Sequence, residues 1–187
     1  MVQPCIPIDL VCEFLTNPLG LCETKPRLSW KISDSRPGAI QKAYMIQAAK
    51  SIADLDTKPD LWKTQWIKSD NTLDIEWEGK NLRSKMKVYW RVKVKDANGK
   101  ESPWSDVASF EMGLLKKSDW SAQWITDGNT RPAPSPYFRK AFVLSEKPIK
   151  ARLYITSRGL FEASLNGQKV GNDYFTPGWT EFSKRIH

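Results

Sequence analysis

The chain has 187 residues, 40% of them hydrophobic and nine of them tryptophan, enough apolar material for one or two ordinary cores, which argues against a disordered protein. The net charge of +8 and pI of about 9.4 would suit an anionic partner, but residues 1–115 carry 17 Lys and Arg against 15 Asp and Glu, and residues 116–187 carry 12 against 6. With no basic run longer than two residues, and with Lys and Arg alternating with apolar positions as on the wet face of a strand, a nucleic-acid partner is not expected.

No stretch approaches the ~18 apolar residues of a membrane span, so no membrane partner is expected. The opening Met1-Val2-Gln3-Pro4-Cys5-Ile6-Pro7 lacks the basic start and apolar run of a secretory signal. As written, the chain reads as cytoplasmic; an upstream signal would make it periplasmic or secreted. Cys5, Cys12 and Cys22 include no Cys-x-x-Cys pair and are odd in number, which fits a reducing compartment and gives neither a zinc site nor a disulfide framework.

Ile8 to Phe14 reads as the first strand, and Asn17-Pro18-Leu19-Gly20 as the turn after it. Arg27 to Ile32 alternates, placing Leu28, Trp30 and Ile32 on one face. Ala43 to Ala49 follows the turn signals Asp34 to Gly38, and Ser51 to Asp60 reads as a connecting loop. An edge element is expected over Trp66–Ser69 and another strand over Leu73–Trp77. Lys85 to Lys95 is the clearest strand, with Val88, Trp90, Val92 and Val94 on one face and Lys87, Tyr89, Arg91 and Lys93 on the other. Asp96-Ala97-Asn98-Gly99 is its turn, and Ser102-Pro103-Trp104-Ser105 opens a last strand ending near Met112. Seven short strands at this spacing predict an immunoglobulin-like sandwich over residues 1–115.

Residues 116–136 read as a linker, of which Asp127–Pro136 holds Gly, Asn, Thr and three prolines with little apolar content. A second β-sandwich is expected over 137–187, with strands at Tyr137–Leu144 and Ile149–Thr156. In Leu153, Ile155, Phe161, Ala163 and Leu165 apolar positions alternate with polar neighbours. Asn166-Gly167 supplies the two positive φ angles of a type I′ turn, returning the chain through Gln168–Val170. That is too few strands to cover an apolar face alone.

The Trp-rich strand, the Asn-Gly turn and Ser-Pro-Trp-Ser together resemble the last hairpin of fibronectin type III domains, with Trp90 near the position where such domains place the tyrosine of their corner motif. Trp104 is placed to lie over Arg91 or Lys93 as a cation–π contact. A wider resemblance rests on six ordered motifs: Thr16-Asn17-Pro18-Leu19-Gly20, Lys25 to Trp30, Tyr89-Trp90-Arg91-Val92, Ser102 to Ser105, Glu111 to Leu115, and Thr176-Pro177-Gly178-Trp179-Thr180. Together they resemble the N-terminal region of bacterial α-L-rhamnosidases of glycoside hydrolase family 78. The resemblance implies an all-β chain: a fibronectin type III-like sandwich, then an incomplete jelly-roll sandwich of galactose-binding-like topology. It also implies a catalytic (α/α)₆ barrel elsewhere in the parent enzyme, whose remainder would be a partner.

Inverting glycoside hydrolysis needs two carboxyl groups about 6.5 to 9.5 Å apart, and no such pair is indicated. Asp54, Asp56, Asp60, Asp70, Asp74, Glu76 and Glu78 stand among lysines, prolines and turn residues, as on solvated faces. The only histidine is His187 at the end of the chain, which leaves no triad or histidine metal cluster. No catalytic residue is therefore assigned. Some second domains of the family bind rhamnose through a calcium ion near an acidic and amide pair; by that resemblance, Asn172 and Asp173 would be hard oxygen ligands for Ca²⁺ and Trp179 a stacking face for L-rhamnose or a rhamnoside. Otherwise the pair is a turn and the tryptophan is core. The expected function is a non-catalytic N-terminal segment of an α-L-rhamnosidase; the alternatives are a stand-alone carbohydrate-binding module and a fibronectin-like interaction domain.

Overall fold

The computed structural model describes residues 5–129 and 134–183 and divides the chain into two compact units, Met1–Ile125 and Thr126–His187. The first unit contains strands β1 (Ile6–Cys12), β2 (Leu19–Leu21), β3 (Arg27–Ser33) and β4 (Gln41–Ala49), helix α1 (Ile52–Thr57), then β5 (Trp62–Lys63), β6 (Ile67–Lys68), β7 (Ile75–Glu76), β8 (Lys87–Asp96) and β9 (Ala108–Met112). One sheet has the order β1-β3-β7; the other runs β2-β9-β8-β4-β5, with β6 also paired to β4. These two sheets face each other across the core as an immunoglobulin-like β-sandwich.

Strand β8 is the spine because its period-2 pattern is unbroken over ten residues. Val88, Trp90, Val92 and Val94 are fully buried. The antiparallel register sets Tyr44 opposite Val94, Ile46 opposite Val92 and Ala48 opposite Trp90 on one side, and Phe110 opposite Val88 on the other. From the facing sheet, Leu28 and Trp30 complete the cluster. On the outer face Arg91 lies 4.6 Å from the centre of Trp104, Lys93 5.5 Å from Trp104 and 5.3 Å from Trp66, and Lys95 4.3 Å from Trp66. Glu101 ties Lys93 and Lys95 together at 2.8 and 3.2 Å.

Ser102-Pro103-Trp104-Ser105 stands beside β8 although Pro103 has no N–H to pair. The serines supply the missing groups: their hydroxyls accept from the amides of Val94 (3.0 Å) and Val92 (3.1 Å), and their own amides donate to the carbonyls of the same two residues. Trp90, near the corner-tyrosine position, has its Nε1 buried with no hydrogen-bond partner.

Several elements differ from expectation. The first strand stops at Cys12, because Glu13 (φ 48°) and Phe14 (φ 62°) form a tight turn closed by Cys12 and Leu15, each donating its amide to the other's carbonyl at 3.0 Å. Positive φ at such residues costs about 1–2 kcal/mol each. The turn is held by Glu13, whose carboxylate accepts from the Arg27 backbone amide at 2.7 Å and from its guanidinium at 2.7 and 3.1 Å. Leu19 and Gly20, expected as turn, belong to β2, which runs parallel to β9. The Ser51–Asp60 loop contains α1 instead: Ser51 Oγ accepts from the Asp54 amide at 3.2 Å as an N-cap, and Leu55 is buried beneath it.

Residues at the exit of this unit are anchored rather than free. Leu115 donates its amide to Ser84 Oγ at 2.9 Å, Ser84 Oγ donates to Asp119, and Asp119 accepts from the Lys116 amide at 3.0 Å, fixing a 3₁₀ turn over Lys117–Asp119. The expected linker of residues 116–136 therefore begins with local structure, and part of its proline-containing portion lies outside the described residues.

In the second unit Asn166 (φ 51°) and Gly167 (φ 80°) form the expected tight turn. It joins β10 (Ser164–Leu165) to β11 (Gln168–Lys169), with Ser164 opposite Lys169. The strands expected at Tyr137–Leu144 and Ile149–Thr156 are absent: no described residue there is in a strand, and Leu153 and Ile155 are exposed, not buried. The alternation is present there without strand structure among the described residues.

A polar network joins two turns of the first unit, the one after β3 and the one after β8. Arg36 donates to Asp34 at 2.6 Å and to Asp96 at 2.8 Å, and both carboxylates are nearly fully buried. Asp96 also accepts from the amides of Asn98 and Lys100, each at 2.9 Å. The Arg36 hydrogen bond holds the Asp34 carboxyl well below the ordinary range. For Asp96 burial pushes upward, but Arg36 and the two amides outweigh it and the net direction is down. Carboxyls depressed in the folded state stabilise it fully above the ordinary carboxylate range, near about pH 4, and that contribution is lost as pH falls through their lower folded values. The stability gap between the native chain and Arg36→Met is thus expected to narrow as urea titrations move from about pH 7 to below about pH 4. A gap constant with pH would show that the two carboxyls are not held this way. Cys5 and Cys12 lie in the same interior, where burial pushes their thiols up to about 11 and about 12.

Candidate functional site

The segment Gly171–Trp179 is shaped by positive φ at Gly171 (79°), Phe175 (57°) and Gly178 (90°). It is pinned by Thr176, whose carbonyl accepts from the Phe161 amide at 2.8 Å and whose hydroxyl donates to the Phe161 carbonyl at 3.2 Å. Lys169 Nζ sits 3.6 Å from the centre of the Tyr174 ring. Trp179 is 84% exposed, not core, and meets Phe182 edge-on at 5.6 Å. Such a ring offers a broad apolar face at a wet surface, the kind of face on which a sugar ring stacks.

Asn172 and Asp173 are both exposed on this segment. Their side chains offer few oxygens against the six to eight that Ca²⁺ takes. Among the described residues no group of three or more His, Cys, Asp or Glu is placed to hold a metal ion. These two residues by themselves do not fit a calcium shell. His187 lies outside the described residues.

The acidic residues of the first unit are largely structural. Asp54 accepts from Ser51 Oγ, Asp56 pairs with Arg91 at 2.7 Å, Asp60 with Lys50 at 3.3 Å, and Glu76 with Lys25 at 2.8 Å. An open depression of about 430 Å³ is lined by Asp54, Lys58, Asp60, Trp62 and Lys80 among others. Its carboxylates are already engaged, and Trp62 is buried. The Arg36 network lies outside the sequence expectations; Arg36 and Asp96 are 60 residues apart in the chain, and no local spacing announces their contact.

Fold and site together define an immunoglobulin-like β module followed by a β-hairpin-bearing unit in which Trp179 is strongly exposed. The chain belongs to the Rha78A-like N-terminal immunoglobulin domain family, whose model matches residues 7–116, and the model of the α-L-rhamnosidase N-terminal domain matches residues 146–187. It is 42% identical to an α-L-rhamnosidase of Alteromonas sp. (strain LOR) over 187 aligned residues, covering 94% of this chain and 20% of that protein. An α-L-rhamnosidase of Formosa agariphila is 40% identical over the same shares. Among solved structures, the Aspergillus terreus α-L-rhamnosidase matches with a TM-score of 0.76 and 26% identity over 97% of this chain and 21% of that one. The Streptomyces avermitilis α-L-rhamnosidase complexed with L-rhamnose matches with a TM-score of 0.63 and 36% identity over 65% and 12%. The chain thus spans about a fifth of the length of these curated relatives.

Proposed function

We propose that this chain serves as the non-catalytic N-terminal part of an α-L-rhamnosidase acting on terminal α-L-rhamnosides. The observation that carries this reading is the succession of two N-terminal domain matches, residues 7–116 and 146–187, within relatives named α-L-rhamnosidase. The chemistry agrees with it: glycoside hydrolysis needs one carboxyl held protonated and another as base across the scissile bond. Asp54, Asp56, Asp60 and Glu76 of the first unit instead serve a cap and ion pairs. Purified alone, the chain is expected to show no turnover of aryl rhamnosides above a buffer blank. Joined covalently to the part of the Alteromonas relative that lies beyond its matched region, it is expected to restore turnover. Activity that co-purifies with the chain alone and vanishes when one of its acidic residues is replaced would overturn the reading, as would an inactive chimera.

The exposure of Trp179 favours a second role within the same reading, a carbohydrate contact in which a rhamnose ring stacks on the indole. Calorimetry with L-rhamnose is expected to give weak heats that Trp179→Ala abolishes. A run with Ca²⁺ and a run of Asp173→Ala test whether Asn172 and Asp173 contribute through a metal whose remaining ligands come from elsewhere. Equal heats for the native chain and Trp179→Ala would remove the tryptophan from any sugar site.

A further inference from the structure

The outward face of the six-stranded sheet in the first unit carries cations that meet no carboxylate. Residues directly paired across an antiparallel ladder share a face. Lys95, Ala43 and Lys68 therefore form one row across β8, β4 and β6, and Arg91, Gln47 and Lys63 a second across β8, β4 and β5. With strands about 4.8 Å apart, Lys68 stands roughly 10 Å from Lys95 at the backbone. Lys42, Lys68 and Lys95 line an open depression of about 550 Å³, with Ala43 and Ser69 beside them and Asp70 as its one exposed carboxylate. Glu101 is shared between Lys93 and Lys95, and Arg91 is bonded to Asp56, Gln47 and the Leu55 carbonyl. Lys42, Lys63 and Lys68 are exposed, and among the described residues their side chains enter no ion pair or hydrogen bond. The facing sheet is balanced by contrast: Lys25 pairs with Glu76 at 2.8 Å, Arg27 with Glu13 at 2.7 Å and Lys31 with Asp9 at 3.0 Å. The positive excess is thus concentrated on one side of the sandwich, assembled from lysines far apart in the chain.

We propose that this face binds an anionic polysaccharide, a glycan carrying sulfate esters or carboxylates, with one anionic group seated among Lys42, Lys68 and Lys95 and a neighbouring one meeting Lys63. The saccharide class rests on the function proposed for the chain; the demand for negative charge rests on the lysines. Like charge on this face repels a second copy of the chain. Two features favour a glycan over a nucleic acid. The free cations are lysines, compact charges on flexible stems, whereas the forked guanidinium that suits phosphate is present at Arg91 and already bonded. Single-stranded nucleic acid also stacks its bases on open aromatic rings. Here Lys95 and Lys93 lie over Trp66 at 4.3 and 5.3 Å, and Arg91 and Lys93 over Trp104 at 4.6 and 5.5 Å, so cations already occupy both rings.

The test is calorimetry on the full 187-residue chain with dextran sulfate, polygalacturonate and unmodified dextran. One or both anionic polymers are expected to bind, with affinity falling as salt rises, and dextran is not. Binding of dextran sulfate alone assigns sulfate esters as the recognised group, and binding of polygalacturonate alone assigns carboxylates. The double variant Lys42→Gln, Lys68→Gln is expected to weaken binding about tenfold, and the control Lys25→Gln, Lys31→Gln, which removes the same charge from the facing sheet, by no more than about twofold. Equal losses in the two variants would make the effect one of net charge and overturn the inference. So would failure to bind either anionic polymer, or duplex DNA binding as tightly as the better of them. The covalent chimera separates this inference from the reading it rests on: an active chimera that ignores both anionic polymers sinks the glycan site alone, and an inactive chimera sinks the proposed function.

Discussion

Trp30→Ala is expected to cost the first unit ~3–5 kcal/mol from lost packing and the cavity left behind. Trp30 is essentially fully buried in β3, with its ring edge-on to Tyr44 at 5.2 Å. Its Nε1 donates to the Gln41 side-chain carbonyl at 3.0 Å, and the Gln41 amide in turn donates to the carbonyls of Ser69 (3.1 Å) and Asn71 (2.9 Å). One indole therefore holds the core and also orients the side chain that ties β4 to the segment after β6. Removing it leaves the Gln41 oxygen buried without its donor, a further loss of about 1–3 kcal/mol. Against the ~5–15 kcal/mol of an ordinary domain, the sum is enough to remove the cooperative transition or move it far down in urea. Trp30→Phe keeps most of the ring volume and loses the donor, so its loss should be clearly smaller. A loss below about 1 kcal/mol for Trp30→Ala would mean that the two sheets do not meet through this residue.

Features set within a few residues are legible in the sequence. The alternation of Val88, Trp90, Val92 and Val94 makes β8 readable, since period 2 puts all four on one face of any strand. Asn166-Gly167 and the Trp104 contact with Arg91 are legible for similar local reasons, a turn that demands positive φ and a cation two strand positions from Lys93. Contacts closed by the tertiary fold are not. Nothing near Leu19 indicates that it will run parallel to Glu111, 92 residues later. The turn at Glu13 and Phe14 depends on Arg27 reaching back from the neighbouring strand. Helix α1 does carry a local signal, Ser51 three residues before Asp54, which the surrounding turn residues outweigh.

The candidate site divides in the same way. Trp179 is singled out by the family likeness and stands against a core reading; its 84% exposure removes that alternative without supplying a sugar. The pair Asn172-Asp173 is present and exposed, yet calcium is held by the number and convergence of oxygens. Convergence is a property of the folded surroundings, and two adjacent residues do not determine it.

Limited proteolysis is expected to divide the chain sharply, leaving a resistant fragment that runs from β1 to the Ser84–Asp119 clasp and losing most of the chain beyond Ile125. The first unit buries one face of its spine fully and shields the long cations of the other: the Arg91 side chain is 13% exposed and bonded to Gln47, Asp56 and the Leu55 carbonyl. In the second unit Arg139 and Lys140 are exposed in backbone without strand structure, and Tyr137, Val143 and Ile149 are fully solvated. Fully burying each large apolar side chain would contribute ~1.5 to 3 kcal/mol. With Leu153, Ile155 and Leu165 uncovered, this unit forgoes several such contributions, so local opening costs it little and a protease finds the backbone accessible. Trypsin at low ratio, with the fragments identified by mass spectrometry, should therefore show early cuts at Arg139 and Lys140 and late cuts within β8. Protection reaching Trp179 in a monomeric sample of the chain would mean that the second unit closes on itself.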